Sequence, residues 1–174
     1  VQSVVDADMV LLGFPLYTDG MPGIVKYFID ALHPNDLGGK PLGFLVQSGF
    51  PEARHSRPVA RYLARLSMRL NARHVGTLIR GGVEGIQLQP AGMTKRLFQR
   101  FFALGASLAR DGQFDEKLVR KLAKPETLNP AARLFLQTDA SHFYWDMKLK
   151  ENNAFDQRFD QPYAPGTGER KEET

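Results

Sequence analysis

Three short apolar runs, each closed by a loop rich in glycine or proline and each followed by a helical pattern, constrain the fold of this chain more than any other feature. They are Asp8–Tyr17 (D-M-V-L-L-G-F-P-L-Y), Leu42–Ser48 (L-G-F-L-V-Q-S) and His74–Arg80 (H-V-G-T-L-I-R). A short run that is continuously apolar, rather than alternating, suits a strand covered on both faces, as in a parallel sheet. After the first run, Ile24, Tyr27, Phe28, Ala31 and Leu32 fall at helical spacing behind Pro22, and His33-Pro34 ends that helix. The stretch N-D-L-G-G-K-P reads as a linker to the second run. Val59–Asn71 then sets Leu63, Leu66 and Leu70 on one helical face, and Lys95–Arg110 closes the series. Strand, loop and helix repeated three times predict an α/β fold, a doubly wound parallel sheet with right-handed crossovers.

Beyond Asp111 the pattern changes. Phe114–Ala123 reads as a short charged helix stopped by Pro125, and Pro130–Leu136 and Ala140–Lys150 as further helical pieces. The last of these carries His142, Phe143, Tyr144 and the single tryptophan, Trp145. The expected division is an α/β domain over residues 1–123 and a helical extension over 124–174, whose last ten residues read as a solvated, frayed tail.

Composition removes several classes of function. A hydrophobic fraction of 43% against 24% charged residues supports a packed core over 174 residues. The absence of cysteine excludes disulfides, thiol catalysis, iron–sulfur clusters and thiolate zinc sites. Apolar stretches such as Met9–Leu12 fall far below the roughly 20 residues needed to span a bilayer, so no membrane partner is expected. A net charge of +4 attracts phosphate-bearing ligands, yet is too small to imply nucleic acid.

In an open α/β sheet, ligands bind at the carboxyl ends of the strands, so chemistry belongs in three loops: Phe14–Gly23, Gln47–Pro58 and Arg80–Pro90. The first offers Pro15, the flat Tyr17 and the pair Gly20 and Gly23. The second offers Ser48, Gly49, Phe50 and His55; the third offers Gly81, Gly82, Gly85 and one acid, Glu84. No loop gathers a nucleophile, a base and an orienting acid. Together they suggest a planar, apolar slot rimmed by backbone donors, better suited to a flat cofactor than to hydrolysis. His55 alone reads as a solvated loop histidine. His33, His74 and His142 have no metal-ligand spacing, so no metal site is expected. Gly105–Ala109 sits inside a helical pattern, unlike a nucleophile elbow, and Gly38-Gly39-Lys40-Pro41 lacks the Ser or Thr of a phosphate loop. Arg57, Arg61, Arg65, Arg69 and Arg73 recur every fourth residue opposite the leucines and read as a solvated face with paired acids; only Tyr62 interleaves, so nucleic acid is not an expected partner.

The segment G-F-P-L-Y-T-D-G-M-P-G-I-V-K-Y-F-I-D-A-L resembles the third strand, loop and helix of flavodoxin-like NAD(P)H-dependent FMN reductases. Q-S-G-F-P-E-A is similar to the next strand's loop in that family, and R-G-G-V-E-G-I to the loop after the last strand. The resemblance covers about Ala7–Ala123, its first motif being the most specific. It implies a flavodoxin-like sheet and an FMN cofactor whose ring is met by Pro15, Leu16 and Tyr17 on one side and by Ser48, Gly49 and Phe50 at its other edge. It also implies NAD(P)H as substrate, a small-molecule electron acceptor, a homodimer completed near Met21–Phe28, and a cytoplasmic enzyme. No catalytic side chain is expected, because the cofactor carries the electrons. The family begins with a strand and a phosphate-cradling loop, then a second strand, and neither lies downstream of Val1. The chain is therefore expected to be N-terminally truncated and, taken alone, a poor flavin binder. The alternative reading is a non-enzymatic flavodoxin-like electron carrier or interaction module. The basic net charge favours the enzyme.

Overall fold

The computed structural model describes residues 2–138 and 142–161. Along the chain run α1 (Gln2–Asp6), β1 (Val10–Pro15), α2 (Gly23–Asp30), α3 (Pro34–Leu37), β2 (Pro41–Gln47), α4 (Arg57–Arg69), β3 (Arg73–Arg80), α5 (Ala91–Asp111), α6 (Glu116–Leu122), α7 (Pro130–Leu136) and α8 (Phe143–Glu151). Single 3-10 turns at Ala53–Ser56 and Ile86–Leu88 interrupt the second and third loops. The contacts divide the chain into two compact units, Val1–Leu128 and Asn129–Thr174.

The first unit is built on a parallel sheet in the order β1-β2-β3. Pro15 pairs with Gln47 and Gln47 with Arg80, so all three strands end at one level. β2, in the centre, is buried along most of its length, which is why its sequence is apolar without alternation. On one face, Phe14, Phe44 and Val46 pack against Ile29 of α2 and Val59, Leu63 and Leu66 of α4. On the other, Leu45 and Leu78 meet Leu104 of α5 and Leu122 of α6. Helices on both faces of an open parallel sheet make this a doubly wound α/β fold of the flavodoxin-like kind.

The second face closes through a glycine pair. Gly43 and Gly76 are register partners on β2 and β3, and the Phe114 ring lies over both. A Cβ on Gly76 would sit 2.8 Å from Phe114 Cδ2, and its φ of 130° disfavours any L side chain.

The elements differ from the sequence expectation mainly at their ends. The N-D-L-G-G linker contains a helical turn, α3, where the Asp36 carboxylate accepts from the His33 N–H at 2.8 Å and Gly38 takes the left-handed C-cap. α5 starts at Ala91, four residues before the expected Lys95. Its first turn is largely solvent-facing, so the apolar periodicity does not report it. α4 stops at Arg69 and Arg73 opens β3, its Nη1 donating to Gly112 O at 3.2 Å. Asp115 and Asn129 cap α6 and α7, accepting from Leu118 N at 2.9 Å and Ala132 N at 2.8 Å.

Gly105 lies in the interior of α5, and among the described residues, its own helix backbone and neighbours aside, nothing lies within 4 Å of the position a Cβ would take. Gly105→Ala therefore stabilises the chain by about 0.5–1 kcal/mol, because alanine loses less backbone entropy in a helix. Urea unfolding measures the gain; a loss of stability would show that this face of α5 is not open.

In the second unit, α7 and α8 are separated by residues outside the described set, and residues 162–174, which include the expected frayed tail, also lie outside it. After α8, the Arg158 guanidinium stands 3.9 Å from the centroid of Phe155 and 4.7 Å from that of Phe159. Phe143 and Trp145 are exposed. No helix among the described residues is long and apolar enough to cross a membrane.

Candidate functional site

The three loops leave the sheet together, because the strands end in register. Leu16 N donates to Gln47 O at 2.7 Å and Ser48 N to Arg80 O at 3.0 Å, so each loop begins bonded to its neighbour. The second and third are bonded again by Gly82 N to Phe50 O at 2.9 Å and Val83 N to Ser48 O at 3.3 Å. Gly81 makes this approach possible: a Cβ there would fall 2.4 Å from Phe50 O and 2.7 Å from Pro51 O. Gly49 is similarly confined, since its Cβ position lies 2.8 Å from Glu84 Oε2.

The first loop turns back at once. Tyr17 N donates to Gly20 O at 3.0 Å and Gly20 N to Tyr17 O at 3.1 Å, closing a two-residue turn. Its central residues, Thr18 and Asp19, have φ of 49° and 62°, as in a type I′ turn. Asp tolerates that region, but a β-branched Thr does not, and the conformation costs it about 1–2 kcal/mol. Strain of this kind is kept where a turn must hold a particular shape.

Of the residues expected to meet a ligand, the structure presents some and turns others inward. Tyr17 is 70% exposed and Phe50 is 55% exposed, both at the carboxyl ends of adjacent strands. Pro15 is half-buried at the end of β1. Leu16 belongs to the core, and the buried Ser48 donates its Oγ–H to Phe50 O at 3.0 Å. Those two side chains shape the loops.

Sequence reasoning did not reach three further residues. His55, expected to be solvated, stacks on Phe50 with centroids 5.3 Å apart at 30°. Its Nε2 lies 3.2 Å from Glu52 Oε2, and its Nδ1 lies 3.9 Å from Asp19 Oδ1 of the first loop. Glu52 is buried, and its Oε1 accepts from Leu128 N at 2.6 Å. Arg80, at the end of β3, donates through Nη1 to Leu122 O and Lys124 O, both at 3.2 Å. Burial, then the neighbouring Arg100, holds its guanidinium below the ordinary arginine pKa. The contacts to Asp19, Leu122, Lys124 and Leu128 span 36 to 76 positions in sequence, so no local signal announces them. Among the described residues there is no group of three His, Cys, Asp or Glu that could hold a metal ion.

In open parallel α/β sheets ligands bind at the carboxyl edge of the strands, and here that edge carries aromatic, glycine-pinned loops. More particularly, residues 1–78 match the model of the NADPH-dependent FMN reductase family. Similar solved structures are an NADH:FMN oxidoreductase in its apo form and an NADPH-quinone reductase from P. pentosaceus. The first has 17% identity and a TM-score of 0.45, covering 75% of this chain and 59% of that one. The second has 18% identity and a TM-score of 0.42, with 74% and 72% covered. This chain thus spans just under three fifths of the length of the NADH:FMN oxidoreductase. No curated protein matches the sequence.

Proposed function

We propose that the chain serves as an FMN-dependent NAD(P)H oxidoreductase that reduces a small-molecule acceptor. One observation carries this reading. Two exposed aromatic side chains, Tyr17 and Phe50, stand on adjacent strand ends over loops pinned by glycine contacts, within the segment that matches the FMN reductase family. The residues present fit a planar ring: Pro15 and Tyr17 would border it on one side and Gly49 and Phe50 on the other, while Leu16 and Ser48 set the loops. The chemistry FMN supplies when bound is transfer of hydride equivalents between a nicotinamide and the acceptor. The chain binds, orients and excludes water. The strained Tyr17–Gly20 turn holds one wall, and His55 supports the back of Phe50 so that its other face is left for the ligand. The exposed Ile24 and Tyr27 on α2, next to that turn, are where a second copy would pair.

The test uses amide chemical shifts of the chain titrated to millimolar FMN, with NADPH consumption followed in parallel. The expected result is a set of shifts confined to Tyr17–Gly20 and Ser48–Phe50, weakened about tenfold in Tyr17→Ala and in Phe50→Ala. A tenfold loss is about 1.4 kcal/mol, the size of one ring contact. Shifts centred elsewhere, or none at millimolar flavin, overturn the proposal.

A further inference from the structure

The arginine row on α4 differs from the solvated, acid-paired face that its sequence suggests. The helix R-P-V-A-R-Y-L-A-R-L-S-M-R contains four arginines and no acid. Among the described residues only Arg57 of the four is ion-paired: its Nη2 and Nε lie 2.6 and 3.0 Å from the two carboxylate oxygens of Glu126. That bond, before the opposing effect of burial, holds the Glu126 carboxyl below its ordinary pKa. Arg61, Arg65 and Arg69 are exposed, and none of them forms an ion pair with any described residue. Unpaired like charges at i,i+4 destabilise a helix by about 0.2–0.5 kcal/mol per pair. The chain thus maintains a mildly unfavourable row on a helix whose other face, Val59, Leu63 and Leu66, is fully engaged with the core.

We propose that this row docks an acidic helix of a partner protein, one carrying Asp or Glu at i, i+4 and i+8. At 1.5 Å per residue the three guanidiniums are based about 6 Å apart over about 12 Å, the spacing of such an acidic row. Rows of i±4n residues incline about 26° to the helix axis, so two of them run alongside each other when helices cross near 50°, the commonest packing class. The flanking residues match a protein partner. Tyr62 and Met68 stand three positions before and after Arg65, on the same surface, exposed by 40% and 78%. Tyr, Met and Arg are the residue types enriched where proteins meet. A nucleic acid fits less well. Beside the arginines, the exposed face of α4 offers no Ser, Thr or Asn to add phosphate or base contacts. The proposal does not depend on the flavin reading, and its test contains no flavin.

Two dye-labelled helical peptides of alanine and glutamine serve as probes, one with three glutamates at i, i+4 and i+8, the other with the same three dispersed around the helix. Fluorescence anisotropy in low salt is expected to give about fivefold or tighter binding of the in-register peptide, a size set by a few exposed ion pairs. The preference shrinks as salt rises. It disappears in Arg61→Ala/Arg65→Ala/Arg69→Ala and survives in Arg96→Ala, which removes an exposed arginine from α5. Circular dichroism checks that the triple variant keeps its fold. Should it not, Arg65→Gln alone, at the centre of the row, is expected to lose part of the preference. Equal binding of both peptides, no binding, or a preference that survives these α4 variants overturns the proposal. Tighter binding of a labelled DNA duplex also overturns it, in favour of nucleic acid.

Discussion

Gly81→Ala is expected to destabilise the chain by about 3–5 kcal/mol and to abolish the flavin-induced shifts at Ser48–Phe50. The new methyl would lie 2.4 Å from Phe50 O and 2.7 Å from Pro51 O, both backbone atoms that cannot swing aside. The only relief is to separate the second and third loops. That separation breaks Gly82 N to Phe50 O and Val83 N to Ser48 O, the bonds that hold Phe50 in place. Forced overpacking alone costs about 1–3 kcal/mol, and each lost bond adds about 1 kcal/mol. Gly92→Ala is the control, because none of the described residues outside its own helix backbone and neighbours lies within 4 Å of its Cβ position. Urea unfolding and the FMN titration read the two halves of the effect. Unchanged stability with unchanged shifts at Phe50 would show that the loops are not packed as described.

Glu52→Ala is expected to cost about 2–4 kcal/mol, with Glu52→Gln falling between it and the wild type. The buried carboxylate accepts from Leu128 N at 2.6 Å and faces Arg54 Nε at 3.3 Å and His55 Nε2 at 3.2 Å. Removing it leaves the Leu128 N–H without this acceptor and Arg54 and His55 without their shared carboxylate, and breaking such a buried network is costly. Glutamine keeps one acceptor oxygen but turns an NH2 group toward Arg54, donor against donor. The loss also frees His55, so Phe50 is expected to show a wider range of side-chain conformations in its ring NMR signals. A cost below about 1 kcal/mol for Glu52→Ala would mean that solvent replaces the carboxylate without penalty.

The strands and main helices of the α/β unit, and the carboxyl edge that carries the candidate loops, follow from residue pattern alone. Continuous apolar runs such as Phe44–Val46 are what a strand covered on both faces requires, and Leu63, Leu66 and Leu70 mark the inner side of α4 at helical spacing. Both are local periodicities, so neighbouring residues carry the information. α1 and α3 escape that reading because five and four residues are too few to show a period. The pairing of loops belongs to tertiary structure. Asp19 meets His55 because parallel strands ending at one level bring distant loops side by side, and Glu52 meets Leu128 because the segment after α6 is bonded to the second loop through Ala53 N to Pro125 O. The arginine row divides between the two levels. Its charge and spacing are plain in R-P-V-A-R-Y-L-A-R-L-S-M-R, whereas which arginines are paired depends on where Glu126 comes to rest after the chain crosses the sheet. Spacing along one helix is set by backbone geometry that every residue shares, but an ion pair across 69 positions exists only once the core has fixed both ends.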